Sequence, residues 1–201
     1  MKMLIDSQWV EAANGQYFEV FNPATGATVD RAPQATIEDA QLTLDAAQRG
    51  KENIKNLPAH ERSAILDRVA RAMAAQSEEL SSLLAQENGK PIQQSLEELA
   101  AAVSIFRGFA EEAKRIFSRT VPLDTVPGAE KHFAVTIRQP LGVVLAVVPF
   151  NYPVELYAHK GAAALAAGNA VIAKPPDETV LPSPIITKDT VDRYYNPDSV
   201  F

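Results

Sequence analysis

Within the stretch Pro140 to Pro182, two polar residues, Asn151 and Lys174, stand where chemistry could be done. Asn151 follows the apolar run Val143 to Val148, inside the segment Pro149-Phe150-Asn151-Tyr152-Pro153. Lys174 closes the short apolar run Ala170 to Ala173 and precedes Pro175-Pro176. Between the runs, Pro153 to Ala167 reads as a helix rich in small residues, closed by Gly168-Asn169. Strand, helix and strand over about 30 residues make a βαβ unit, and such crossovers imply parallel strands. Asn151 and Lys174 then lie at the carboxyl ends of those strands, the edge where open α/β sheets bind ligands. A side-chain amide there can donate to a developing oxyanion, and an ammonium can donate to ribose hydroxyls. The residues alone leave plainer roles open: Asn151 as the N-cap of the helix, Lys174 as a solvated lysine at a strand end.

Other chemistries find less support. The chain has no cysteine, which excludes disulfides and any mechanism run by its own thiolate. His60, His132 and His159 show no metal-ligand spacing, so no metal site is expected. The glycines form no GxGxxG pattern. Ser183 and Thr187 have no evident activating histidine. Net charge is −6 over 201 residues, and Lys and Arg are scattered, which argues against a nucleic-acid or anionic-membrane surface. Met1 to Val10 lacks the apolar core of a signal peptide. The longest apolar candidate, Leu141 to Phe150, falls far short of the ~20 residues that cross a bilayer. A cytoplasmic location is expected.

The elements that position the two residues begin with short strands. Asn14-Gly15 predicts a hairpin between Ser7–Val10 and Tyr17–Phe21, and Asn22-Pro23 with Thr25-Gly26 marks a further turn. Thr36 and Asp39 form a capping-box pattern for a first helix, with Ile37, Ala40, Leu44 and Ala47 as its apolar stripe. Pro58 suits the first turn of a second helix, whose Ile65, Val69 and Met73 share one face. A third helix runs through Leu80, Leu83 and Leu84 and stops at Asn88-Gly89-Lys90-Pro91. The fourth carries Leu96, Leu99, Val103, Phe106, Ala110, Ala113 and Phe117 at alternating spacings of three and four. That stripe predicts core packing rather than a coiled-coil dimer, because it lasts only about three heptads. Phe133, Val135 and Ile137 alternate with Ala134, Thr136 and Arg138, which reads as a half-exposed strand. Val143 to Val148 reads as a strand buried on both faces.

Taken together, these stretches resemble the aldehyde dehydrogenase superfamily. The resemblance runs from about Leu4 to about Pro182. It is carried by Phe21-Asn22-Pro23-Ala24-Thr25-Gly26, Glu87-Asn88-Gly89-Lys90-Pro91, Pro140-Leu141-Gly142-Val143-Val144, Pro149-Phe150-Asn151-Tyr152-Pro153, Ala166-Ala167-Gly168-Asn169 and Lys174-Pro175. Each motif is weak by itself, and their order and spacing together are specific. The resemblance implies that Asn151 helps form the oxyanion hole, and that Pro149, Phe150, Lys174 and Asp177 bind NAD(P), with Lys174 on the adenosine ribose. Asp177 stands where the family often has a Glu on that ribose; a carboxylate there disfavours a 2′-phosphate, so NAD is expected over NADP. Lys160 matches a family lysine assigned to a proton relay whose partner would lie beyond this chain.

The resemblance also implies an N-terminal portion ending before the catalytic Cys, the general-base Glu and the pyrophosphate-binding helix start. The family reaction is oxidation of an aldehyde to a carboxylic acid, and this chain is expected to be inactive alone. The expected fold is α/β: N-terminal helices on an incomplete Rossmann-like parallel sheet, with a projecting β-hairpin arm. Expected divisions are residues 1–118 for the N-terminal strands and helices, 119–139 for an oligomerisation-type arm, 140–182 for the βαβ part and 183–201 for an atypical tail. The expected partners are a small-molecule aldehyde in the intact family and a homo-oligomer, a full-length subunit or a C-terminal piece. The alternative is a non-enzymatic assembly module that pairs with full-length subunits.

Overall fold

The computed structural model describes residues 1–176 of the chain. Asp177, Glu178, Ser183, Thr187 and the tail 183–201 lie outside the described residues.

The N-terminus is built from two hairpins rather than the one that Asn14-Gly15 suggested. Strand β1 (Met3–Ile5) pairs antiparallel with β2 (Gln8–Val10), with Ile5 opposite Gln8. Strand β3 (Tyr17–Phe21) pairs with β4 (Thr28–Pro33). The first loop is Asp6-Ser7, both at positive φ, which is the backbone of a two-residue hairpin turn. A short aspartate tolerates that conformation, so this tighter turn takes up β2 locally. Asn14-Gly15 still turns the chain, with the Gly15 N–H donating to the Ala12 carbonyl at 2.8 Å, but it links two hairpins instead of closing one.

Helix α1 (Ile37–Lys55) starts on the predicted capping box: Thr36 accepts from the Asp39 N–H at 3.2 Å, and Asp39 accepts from the Thr36 N–H at 2.8 Å. Its apolar stripe is not the expected one. Ile37 is 91% exposed, Ala40 and Leu44 are also exposed, and the inward face is Asp39, Ala46, Ala47 and Ile54. Asp39 sets that roll, because its carboxylate also accepts the Ala13 N–H at 3.1 Å and so must face the strands.

Helices α2 (Ala59–Ala75), α3 (Ser77–Asn88) and α4 (Ile92–Ala113) follow. Gly89 ends α3 in the left-handed conformation, φ +76°. Leu99, Val103, Phe106, Ala110 and Ala113 of α4 are buried, as their spacing requires, while Phe117 lies past the helix end and is exposed. Helix α4 packs on α2, α3 and α5, so the stripe serves the core. Strands β5 (Arg119–Val121) and β6 (Ala134–Thr136) form an antiparallel hairpin with Phe133 and Ile137 exposed.

The βαβ unit is present: β7 (Val143–Val147), α5 (Pro153–Ala166) and β8 (Ala170–Lys174), with β7 and β8 parallel and Val147 opposite Lys174. Helix α5 presents Ala158, Gly161, Ala162, Ala164 and Leu165 to the core, where small side chains allow close approach to α4. One expectation fails. β7 is not buried on both faces, since Ala146 is buried but Leu145 is 60% and Val147 54% exposed. Val144 and Ala146 pack into the core, while Leu145 and Val147 on the other face stay open among the described residues. The architecture is α/β, with N-terminal helices around a two-stranded parallel piece of a Rossmann-like sheet and a separate hairpin arm. No helix among the described residues is long and apolar enough to cross a membrane.

Candidate active site

The carboxyl edge of the parallel pair is formed by Lys174 and the loop that follows β7. The Val148 N–H donates to the Lys174 carbonyl at 3.0 Å, which extends the ladder one residue past β7 and places Pro149, Phe150 and Asn151 beyond it. Lys174 is exposed at this edge, and Asn151 is exposed in the loop. Among the described residues nothing hydrogen-bonds the Asn151 side-chain amide, so its donors are directed at neither backbone nor neighbour.

The backbone of that loop, in contrast, is held from a distance in sequence. The Asn88 amide donates to the Phe150 carbonyl at 2.8 Å, and the Lys90 ammonium donates to the Asn151 carbonyl at 2.8 Å. Lys90 also pairs with Glu98 at 2.5 Å and sits 4.3 Å from the centroid of the Tyr152 ring. Glu98 is buried in α4, and its other oxygen accepts the N–H groups of Val154 at 2.8 Å and Glu155 at 3.3 Å. A buried carboxylate is tolerated only when its lone pairs and charge are satisfied, and here a cation and two helix-terminal donors do so.

This arrangement decides the capping of α5. Tyr152, not Asn151, occupies the N-cap position, with its carbonyl accepting the Leu156 N–H at 3.0 Å, and no local side chain caps the helix. Glu98 does that from α4. The N-cap role open to Asn151 from sequence is therefore not the one it has. The same carboxylate fills the helix start that receives a pyrophosphate in the common dinucleotide-binding turn. Lys174, opposite Val147 in the ladder, and the exposed side chains of Leu145 and Val147 lie together at this edge, away from that helix start.

Of the residues that the sequence suggested, Pro149, Phe150, Asn151 and Lys174 come together on this edge, and Asp177 lies outside the described residues. Lys160 donates to the Leu156 carbonyl of its own helix at 3.4 Å. His159 lies 4.0 Å from Glu155 and is exposed. Tyr157, half-buried against the core, has its hydroxyl pushed well up by burial and stays protonated. Sequence reasoning treated Asn88 and Lys90 as a helix stop and passed over Glu98. A signal was present: Ser95 and Glu98 are polar residues one turn apart on the face that buries Leu99 and Ala102.

Comparison with known proteins decides the family. The sequence pattern described as "Aldehyde dehydrogenase family" matches residues 9–201. The chain belongs to the aldehyde dehydrogenase family. Among aldehyde dehydrogenases, the 3-sulfolactaldehyde dehydrogenase of Pseudomonas putida is 39% identical over 177 residues, which are 88% of this chain and 36% of that protein. The NADP(+)-type succinate-semialdehyde dehydrogenase GabD of Escherichia coli K12 is 36% identical over 178 residues, again 88% of this chain and 36% of the relative. In structure, the NADP-dependent glyceraldehyde-3-phosphate dehydrogenase of Bacillus halodurans C-125, complexed with NADP, matches with a TM-score of 0.89 and 32% identity over 98% of this chain and 41% of that one. This aldehyde dehydrogenase chain thus spans well under half the length of the proteins it matches. Two of these three relatives are named for NADP, so they lend no support to the expected preference for NAD.

Proposed function

We propose that this chain provides the oxyanion-binding and ribose-binding edge of an NAD(P)-dependent oxidation of an aldehyde to a carboxylic acid. What carries the reading is the shared position of Asn151 and Lys174 at the carboxyl edge of a parallel pair, in a chain of this family. Asn151 offers an exposed amide with donors to spare, the property that an oxyanion hole requires. Lys174 offers an ammonium to ribose hydroxyls, and Pro149 and Phe150 line the same edge. The bound dinucleotide would accept the hydride in this chemistry. Asp177 and Glu178 follow Lys174 in sequence, and their charge disfavours a 2′-phosphate, which points to NAD over NADP. The aldehydes to try first are short and anionic, because the relatives are named for 3-sulfolactaldehyde and succinate semialdehyde.

The 201 residues hold no cysteine and therefore supply no thiolate. The purified chain alone is expected to show no aldehyde oxidation with either cofactor. The test joins residues 1–176 to the remaining part of the GabD-like relative and assays succinate semialdehyde. Asn151→Ala in that fusion should lower kcat by about 10²–10³-fold, the cost of losing one oxyanion donor. A fusion equally active with alanine would sink the reading.

A second reading rests on the β5–β6 hairpin. Its Val121, Phe133, Val135 and Ile137 are exposed apolar residues, and β6 pairs only with β5 among the described residues, leaving an edge able to take another strand. The chain would then act as an assembly module for a second copy or a full-length subunit. Co-elution with a full-length family member in gel filtration tests this, and separate elution at micromolar concentration rejects it.

A further inference from the structure

We infer that Glu98 and Lys90 are positioning residues that fix the backbone from which the Asn151 amide projects, acting through the loop rather than on any reacting atom. The inference rests on the oxyanion reading of Asn151. No hydrogen bond among the described residues holds the Asn151 side chain, so what the fold fixes is the Cα–Cβ bond that carries the amide, and that is set by the peptide units around it. The Asn151 carbonyl is bound by Lys90 across 61 residues of chain, and the Phe150 carbonyl by Asn88 across 62. Three residues further on, the first free N–H groups of α5 are bound by Glu98. A rotation of either peptide flanking Asn151 would break one of these bonds, so together they leave the Cα–Cβ direction of Asn151 one setting.

A helix start that needed only stability would be served by a Ser or Asp at the N-cap. Here Tyr152 occupies that position, and the capping carboxylate comes from the buried face of α4. Lys90, whose side chain is only 8% exposed, joins that carboxylate to the carbonyl of the very residue that bears the donor amide. Cap and anchor are thereby one unit: Glu98 holds Lys90, and Lys90 holds Asn151. Misplacement of a donor by about 1 Å can cost about a hundredfold in rate, which is what such a brace prevents.

The test uses the full 201-residue chain and compares wild type with Glu98→Gln, Asn88→Ala and the double variant Lys90→Met/Glu98→Gln, which leaves no buried charge unpaired. Amide hydrogen exchange and the side-chain amide resonance of Asn151 are measured. The expected result is exchange about tenfold faster over residues 148–155, with the Asn151 amide resonance broadened or shifted, while the protection of Ala102–Ala113 in α4 is unchanged. Unchanged exchange over residues 148–155 overturns the inference. So does a uniform rise through α2 and α4, which would make the pair a general support of the core. The outcome is separable from the fate of the oxyanion reading. If the loop loosens but Asn151→Ala leaves kcat of the fusion intact, the brace stands and the oxyanion role falls. If the loop does not loosen but that kcat drops, the reverse holds.

Discussion

Asn169 fastens the start of β7 to the end of α5: its Oδ1 accepts the Gly142 N–H at 2.9 Å, and its Nδ2 donates to the Ala164 carbonyl at 3.1 Å. The residue is buried, so neither bond can be replaced by water without opening the turn. Asn169→Asp keeps the acceptor and loses the donor, while Asn169→Ala loses both. The expected cost is about 1–3 kcal/mol for each group left unsatisfied by alanine, with aspartate the worse of the two near neutral pH, because it buries an unpaired carboxylate against the Ala164 carbonyl. Urea denaturation checks the order, and equal midpoints for wild type and alanine would refute the assignment.

The Asp39 carboxylate should give the chain part of its acid sensitivity. Burial pulls its pKa upward, but the N–H and O–H bonds from Thr36 and the N–H bond from Ala13 outweigh that and hold it below its ordinary value. A depressed folded pKa contributes stability that is fully present above the unfolded value and is lost as pH falls through the folded one. Asp39→Asn should therefore cost about 0.5–2 kcal/mol near neutral pH, and the gap to wild type should shrink as pH falls through and below the ordinary aspartate range. Denaturant melts of both proteins across that range check it. A gap that does not change with pH would show that the charge is irrelevant.

Gly89 joins the end of α3 to the β3–β4 turn. A β-carbon there would lie 2.5 Å from the Pro23 ring, and the residue already needs φ +76°. Gly89→Ala should destabilise by about 1–2 kcal/mol from backbone conformation, with a further penalty from the displaced proline. Thermal melting gives the size, and faster amide exchange over residues 21–27 gives the location. A neutral effect would mean that the turn yields freely.

Arg62 ties α2 to α5 and to the α1–α2 connection, through Nε to the Ala166 carbonyl at 3.0 Å and Nη1 to the Leu57 carbonyl at 2.5 Å. Burial lowers its pKa, yet a guanidinium keeps its charge. Lysine cannot make both bonds with one planar fork, so Arg62→Lys should still cost about 1–3 kcal/mol. A urea midpoint shifted as far by lysine as by methionine would indicate that fork geometry, not charge, is what α5 requires. A silent lysine variant would reject that.

If Lys174 binds the ribose as proposed, Lys174→Met in the fusion with a family relative should raise KM for the dinucleotide about tenfold or more and leave kcat nearly unchanged, because such a contact is uniform between ground and transition states. Steady-state kinetics with varied cofactor read this directly. A fall in kcat with KM constant would move Lys174 from binding to chemistry.

How far the sequence could be read depended on how local each cause was. The capping box at Thr36 and Asp39, the left-handed stop at Gly89 and the helix start after Pro58 rest on bonds within a few residues, and each stands where its pattern put it. The β7–α5–β8 unit was equally legible, since alternating apolar runs and a small-residue helix allow little else. The roll of α1 was not, because Ala13, 26 residues away, draws the Asp39 carboxylate inward and turns Ile37 and Leu44 outward. The pairing of β2 was misread because Asp6-Ser7 closes a tighter turn than Asn14-Gly15 could.

The candidate site divides in the same way. By itself, the order of residues determined that Lys174 ends one parallel strand and that Asn151 lies in the loop just past the end of its neighbour, since a strand-helix-strand segment of that length brings two carboxyl ends together. Only the tertiary structure decided how the loop is held. The bonds from Asn88, Lys90 and Glu98 cross 56 to 62 residues of chain, and no periodicity encodes a partner at that distance. They exist because packing α4 against α5 buries a carboxylate beside a bare helix terminus, and a buried charge takes whatever cation and donors the fold brings within reach.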